Sequence, residues 1–296
     1  MWHIFTEFAK YLHKYLKKAL DRRKILYYYK PIKRRRVSKM KKAIALILSL
    51  VLMMSCCSAL AEDAKPLAGK KLTIALSPNF MFFETVSETD PTGYEGLDID
   101  MIKELSDMLG FEFEIVPMSF SSLVGSLQAN SVDMVISGMT ATEERKQIVD
   151  FSDVYCVSSV GCITKVDSAV NTFEDLQNQI VCCSQGTNYE MMIEDIPGTT
   201  LKTYQGQAAV GTAVAEATDN VVAGLTSING ATKLATTMLD ADGNPMLKYF
   251  ALDGAQADEY CMAFPKGSEL TAIFNEGIQA LKDSGKLEEL IQYWLY

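Results

Sequence analysis

The sequence predicts an α/β fold assembled from parallel strand–helix units, and three observations carry that prediction. Strand-like and helix-like patterns alternate along the body of the chain. The composition, 48% hydrophobic and 22% charged with 18 Gly and 8 Pro, is that of a globular protein rather than a disordered or collagen-like one. The 296 residues suffice for one large or two medium domains, each able to bury its own core.

Charge divides the chain sharply. Residues 1–39 hold 13 Lys and Arg against two acids, Glu7 and Asp21, whereas residues 62–296 hold 13 basic and 35 acidic residues. A body that acidic repels phosphate backbones, so nucleic-acid binding is excluded there. Met40-Lys41-Lys42 opens a second start, followed by an apolar run of 12 residues, Ala43 to Met54, too short to span a membrane. The charged start, apolar middle and small-residue end make residues 40–61 a secretory signal. Cleavage after Ala61, at Ala59-Leu60-Ala61, would leave Glu62 as the mature N-terminus. Met53-Met54-Ser55-Cys56 is an imperfect lipobox that would instead anchor the protein through Cys56. Residues 1–39, with a hint of a basic amphipathic helix at Ile4, Phe5, Phe8, Leu12, Tyr15 and Leu16, read as an N-terminal extension or a mis-assigned start.

Along the body, Lys71–Leu76 is a short apolar strand ended by Ser77-Pro78-Asn79. Residues 97–110 form a helix whose Met101, Ile102, Leu105, Met108 and Leu109 make an apolar stripe, with Gly110 as its stop. Phe111 to Val116 alternates as a strand, Ser121 to Ala129 is helical, and Val132 to Ser137 is a buried strand. Then come a short helix at 172–177, a strand at 179–183, a helix at Tyr189–Glu194, a strand at 220–226, and closing helices at 270–284 and 287–294.

Both histidines, His3 and His13, precede the body, which removes Ser-His-Asp and Cys-His catalysis and histidine metal sites from it. No P-loop and no G-x-G-x-x-G occurs, so neither a nucleotide motif nor any other cofactor is called for. Five cysteines, Cys156, Cys162, Cys182, Cys183 and Cys261, follow the signal without a C-x-x-C, an odd set that suits buried thiols better than a metal site. Arg145 is the one arginine of the body. In a stretch that otherwise uses Lys, it is either compositional drift or a residue kept for its planar, bidentate fork.

Four segments taken together narrow these options: Gly93-Tyr94-Glu95-Gly96-Leu97-Asp98-Ile99-Asp100, Val116-Pro117-Met118-Ser119-Phe120, Ser137 to Arg145 (SGMTATEER) and Val149-Asp150-Phe151-Ser152-Asp153-Val154-Tyr155. Their order and spacing resemble the bacterial extracellular solute-binding proteins of family 3, polar amino-acid receptors of ABC importers; Phe264-Pro265-Lys266-Gly267 through Trp294 matches less specifically. The resemblance implies a two-lobed, periplasmic binding protein-like fold, each lobe a mixed sheet flanked by helices and joined to the other by two hinge strands. Lobe 1 would comprise 67–156 and 260–296, and lobe 2 157–259.

It implies, further, a site in the cleft between the lobes. Arg145 would grip a ligand carboxylate, helped by Gly138 and Thr140. Phe80 and Phe120 would sandwich the ligand side chain, or else be two core phenylalanines. Ser77 occupies a position that some relatives fill with an acid. Gly186-Thr187-Asn188 would meet the carboxylate from lobe 2. One departure stands out: amino-acid receptors of this family usually offer an acid on lobe 2 for the α-ammonium, whereas this chain reads Val221-Val222-Ala223-Gly224-Leu225-Thr226-Ser227, with no acid between Asp219 and Asp240 and Ser227 at the matching place. Either Glu84 on lobe 1 receives the ammonium or the ligand has none. Cys156 and Cys261 fall near the hinge strands, where a disulfide is one option and free thiols the other. The function so implied is a monomeric, non-enzymatic extracytoplasmic receptor that closes on a small carboxylate-bearing solute and presents it to a membrane permease. Alternatives are a sensing module for a signalling partner and a dehydratase or lyase on the same fold, with Glu84, Glu95 or a lysine doing the acid–base work.

Overall fold

The computed structural model describes residues 65–296 apart from Asp253. The expected signal, Cys56 and the basic extension therefore lie outside the described residues. In chain order the strands and helices are β1 (Lys71–Leu76), β2 (Asn79–Phe80), β3 (Glu84–Val86), β4 (Tyr94–Glu95), α1 (Leu97–Leu109), β5 (Glu112–Pro117), α2 (Phe120–Gln128), β6 (Met134–Thr140), α3 (Glu143–Ile148), β7 (Val149–Phe151), β8 (Cys156–Ser158) and β9 (Val160–Lys165). They continue with β10 (Ile180–Ser184), α4 (Tyr189–Glu194), β11 (Thr200–Tyr204), α5 (Gly206–Ala215), β12 (Ala223–Ser227), α6 (Ile228–Thr237), β13 (Leu247–Ala251), β14 (Asp258–Pro265), α7 (Leu270–Asp283) and α8 (Lys286–Leu295).

Two sheets share one plan. The first runs β5-β1-β6-β14-β7 and the second β11-β10-β12-β9-β13. In each, three parallel strands lead to an antiparallel one that arrives from the other lobe: β14 pairs antiparallel with β6, and β9 antiparallel with β12. The lobes are thus laced together by two strands, which diverge where Cys156–Ser158 of β8 pairs with Asp258–Tyr260 of β14. A small meander, β2-β3-β4, is inserted between β1 and α1.

Both faces of each sheet are covered, as parallel strands require. Side chains alternate between the two cores with the period of two that a strand imposes. Ile74, Met134, Ile136, Met262 and Phe264 point to the core under α1 and α7, whereas Ala75, Val135 and Ala263 point to the one under α2. In the second sheet Val181 and Cys183 face one core and Cys182 the other. Helix α1 ends as its stripe predicts, at Gly110 in the left-handed conformation, whose N–H returns to the Ser106 carbonyl.

The same alternation decides the cysteine question. Tyr260, not Cys261, lies opposite Cys156, so Cys261 projects to the other face; all five described cysteines are free and buried. The disulfide option is thereby corrected to separate thiols, and burial pushes the Cys156 thiol up to about 12 and Cys261 to about 11.

Candidate functional site

Open α/β sheets present ligands at the carboxyl ends of their strands, and four such ends converge here. Ser77 follows β1, Gly138 lies late in β6, Ser184 closes β10, and Thr226 and Ser227 close β12. Between them is a cavity of about 50 Å³. Its wall combines Ser77, Phe80, Phe120 and Gly138 with Thr187 and Asn188, all singled out from the sequence, and with Gln207, Thr226 and Tyr260, which were not.

The lobe 1 wall is backed by buried acids. The Ser77 N–H donates to Ser137 Oγ at 3.0 Å, and the Ser137 hydroxyl donates to Glu84 Oε1 at 2.5 Å. Asp98 accepts from the Gly138 N–H at 2.9 Å and from the Tyr155 hydroxyl at 2.8 Å. Both carboxyls are fully buried. Burial pushes Glu84 well above the usual range, and the neighbouring Asp98 adds to it; burial likewise raises Asp98 to about 7. Two adjacent carboxyls in an apolar setting each disfavour the other's ionisation. Gly138 sits at φ +50°, and a Cβ there would lie 2.1 Å from Phe80 Cε1. Only glycine lets the Phe80 ring rest on the strand end. Phe80 is also stacked on Phe83, with ring centroids 4.5 Å apart.

Lobe 2 closes against this wall by turns and amides. Gly186, at φ +81°, brings its turn so near α2 that a Cβ would stand 2.7 Å from Ser121 Cα. Gln207 Nε2 donates to Thr226 Oγ1 at 2.7 Å, while its Oε1 accepts from the Met81 N–H of lobe 1 at 3.1 Å.

Arg145 occupies the seam rather than the cavity wall. Its Nη1 donates to the Thr140 carbonyl and its Nη2 to the Gly186 carbonyl of lobe 2, each at 2.7 Å. The guanidinium lies over the Phe120 ring, 5.5 Å from its centroid. It borders a second hollow of about 260 Å³ that shares Phe120, Thr187 and Asn188 with the cavity. Burial pulls its pKa below the ordinary value, opposed by Glu144, Asp258 and Glu190.

Three sequence expectations meet a different geometry. The Gly138 N–H points inward to Asp98 and not into the cleft. The Thr140 hydroxyl is buried without a partner and neighbours Asp258, while the residue borders the larger groove outside the cavity. Ser227 is fully buried and its Oγ accepts from the Gly230 N–H at 3.2 Å, capping α6. Glu84 is sealed behind Ser137, and Glu95 is exposed, accepting from the Ser87 hydroxyl; among the described residues, no pair of acids lines the cavity.

One acid escaped the sequence reading. Asp258, on the returning hinge strand, is 1% exposed. It accepts from Asn188 Nδ2 at 2.8 Å, from the Tyr189 hydroxyl at 2.5 Å and from the Tyr260 hydroxyl at 3.4 Å. Burial raises its pKa and these donors oppose the rise. The only available signal was an acid at the start of the Asp-Glu-Tyr-Cys-Met-Ala-Phe-Pro strand, far from the segment where an acid was sought.

The family model for bacterial extracellular solute-binding proteins, family 3, matches residues 72–296. The arginine-binding extracellular protein ArtP of Bacillus subtilis (strain 168) is 31% identical over 234 residues, covering 76% of this chain and 86% of the relative. The ABC transporter glutamine-binding protein GlnH of the same organism is 28% identical over 209 residues, covering 68% and 72%. Among solved structures, the amino acid ABC transporter substrate-binding protein AbpA of Streptococcus pneumoniae, bound to L-arginine, superposes with a TM-score of 0.68 at 30% identity, covering 76% of this chain and 94% of that one. With sheets, hinge strands and sequence in agreement, the chain belongs to the bacterial extracellular solute-binding proteins of family 3.

Proposed function

We propose that this protein is the extracytoplasmic receptor of an ABC importer and closes its two lobes, residues 67–156 with 260–296 and residues 157–259, on an amino acid. The observation that carries the reading is the lone arginine of the body reaching from α3 across the seam to the Gly186 carbonyl, next to a cavity lined by both lobes. The names of the relatives, receptors for arginine and for glutamine, point the same way.

In this reading the ligand carboxylate lies toward Arg145, where a bidentate pair contributes on the order of 1.5–3 kcal/mol per charged hydrogen bond. Phe80 and Phe120 flank the ligand. Asp258 receives the α-ammonium: it is a carboxylate adjoining two cavity residues, Asn188 and Tyr189, and it stands on the strand about which the lobes move. The missing lobe 2 acid is thus supplied by the hinge. Closure joins Arg145 to Gly186, Met81 to Gln207, and Asn229 Nδ2 of α6 to the Leu295 carbonyl of α8 at 3.1 Å. A ligand that bridges the lobes favours this arrangement because it touches both walls only when they meet. The permease would read the closed form, and export would follow the signal at 40–61, by cleavage after Ala61 or lipidation at Cys56.

The test is thermal unfolding of protein refolded from denaturant, to strip carried-over ligand, against the common amino acids and a panel of ammonium-free carboxylates. A ligand at 100 times its dissociation constant stabilises by about 2.7 kcal/mol. At least one amino acid should do so; stabilisation by ammonium-free acids alone, or by nothing, would refute the reading.

A further inference from the structure

Among the described residues, the cavity wall contains no Asp, Glu, Lys or Arg. Its only titratable side chains are Tyr189 and Tyr260, and both hydroxyls are turned to Asp258. The surrounding acids are spoken for. Asp258 stands behind Asn188 and the two tyrosines. Glu84 and Asp98 lie behind Ser137 and Gly138. Glu190 accepts from the Gly186 N–H at 2.6 Å, outside the cavity. What the wall does offer is neutral and hydrogen-bonding. Gln207 pairs with Thr226, the Ser77 hydroxyl donates to Asn79 Oδ1 at 3.3 Å, and Gln205 donates to Gln185. The Gln205-Gly206-Gln207 turn abuts Asn79, so these groups gather at one end of the cavity, whereas Phe120, Thr187 and Asn188 mark the end shared with the Arg145 hollow.

Taking the amino-acid receptor reading as its basis, we infer that the side-chain end of this cavity selects an uncharged, hydrogen-bonding side chain, an amide or a hydroxyl, over cationic and anionic ones. A guanidinium or ammonium taken out of water without a carboxylate is costly, since the effective desolvation penalty is several kcal/mol per ion. With Asp258 matched to the α-ammonium, no second acid remains for it. A carboxylate side chain finds no cation at that end either. Amides carry both donors and acceptors, so a ligand amide or hydroxyl can use their remaining hydrogen-bonding capacity, whereas a purely apolar side chain would desolvate these groups and return no hydrogen bond. The chain's likeness to arginine receptors therefore does not extend to this end of the site.

The experiment is isothermal titration of the refolded protein with L-glutamine, L-asparagine, L-serine and L-threonine, and with L-arginine, L-lysine, L-glutamate and L-leucine. The best neutral polar amino acid should bind at least tenfold more tightly than any of the other four. Gln205→Glu, which adds a carboxylate at an exposed edge of the wall, should narrow or reverse the preference against arginine and lysine by tenfold or more. Equal or tighter binding of arginine, lysine, glutamate or leucine by the unmodified protein would overturn the inference and leave the receptor reading standing. Binding of no amino acid at all would overturn the receptor reading itself, and the inference with it.

Discussion

The two lobes use the same strand order, β5-β1-β6-β14-β7 against β11-β10-β12-β9-β13, yet build their halves of the site from different chemistry. Lobe 1 sets an aromatic ring on a glycine and backs the wall with a buried carboxyl pair, Glu84 and Asp98. Lobe 2 has no acid between Asp219 and Asp240 and presents turns, amides and a capped helix. Identical topology therefore fixes where the site lies but not what its walls recognise. In the proposed reading the Arg145 end and the hinge would hold the common part of an amino acid, while the amides held chiefly by lobe 2 would choose among side chains.

The largest effect that would break this comparison falls on the hinge. Asp258→Asn keeps a polar side chain for Asn188 and Tyr189 but removes the charge assigned to the ammonium. Leaving one partner of a buried charge pair alone costs about 3–5 kcal/mol, so calorimetry should show amino-acid affinity falling at least 100-fold. Unchanged affinity would return the ammonium to another group.

Next is the lobe 1 wall. Gly138→Ala must accommodate a Cβ 2.1 Å from Phe80 Cε1 at φ +50°. Overpacking of this kind costs about 1–3 kcal/mol, and chemical denaturation should register it, together with weakened binding as the Phe80 ring is displaced.

The carboxyl pair should appear in the pH dependence of stability. Asp98 and Glu84 ionise near pH 4 in the unfolded chain, whereas folding holds Asp98 protonated to about pH 7 and raises Glu84 as well. Above about pH 4 the folded state binds more protons than the unfolded state, so stability falls as pH rises through about 7, where Asp98 ionises, and goes on falling for as long as Glu84 keeps its proton. Glu84→Gln keeps an acceptor for the Ser137 hydroxyl but removes one titrating carboxyl of the pair. Its unfolding temperature should fall less than that of the unmodified protein between pH 5 and pH 8; an identical fall would remove the pair from the account.

The smallest effect sharpens the reading of lobe 2. Ser227→Ala removes a helix cap, which costs about 1 kcal/mol, and should leave ligand affinity within threefold. A larger loss of affinity would restore Ser227 as a ligand contact.

Much of the fold was legible because its elements announce themselves locally. The stripe of α1, its glycine stop and the apolar strand β1 fall where the sequence places them. Helix α5, Gly206 to Ala215, did not, because Gly-Gln-Ala-Ala-Val-Gly-Thr-Ala-Val-Ala is small on every face and shows no stripe. The exchange of β9 and β14 between lobes leaves no local trace, since each pairs with residues far away in the chain, Val160 with Ser227 and Tyr260 with Thr140. At the site, Ser77, Phe80, Phe120, Gly138, Thr187 and Asn188, which the family resemblance singles out, line one cavity. Gln207 and Asn79 were not singled out, because an amide looks alike in sequence on a surface or in a wall. Asp258 was missed for a different reason: an acid was sought along lobe 2, whereas the buried acid beside the cavity residues Asn188 and Tyr189 stands on the hinge strand.

The central claim is that the arginine spanning the seam holds the ligand carboxylate. Titration of the tightest-binding amino acid into Arg145→Ala and into the unmodified protein, with the unfolding transition of each recorded alongside, tests it directly. Loss of two charged hydrogen bonds, each on the order of 1.5–3 kcal/mol, predicts an affinity reduced at least 100-fold in a protein that still unfolds cooperatively. Affinity retained within threefold, a difference below about 1 kcal/mol, would contradict it.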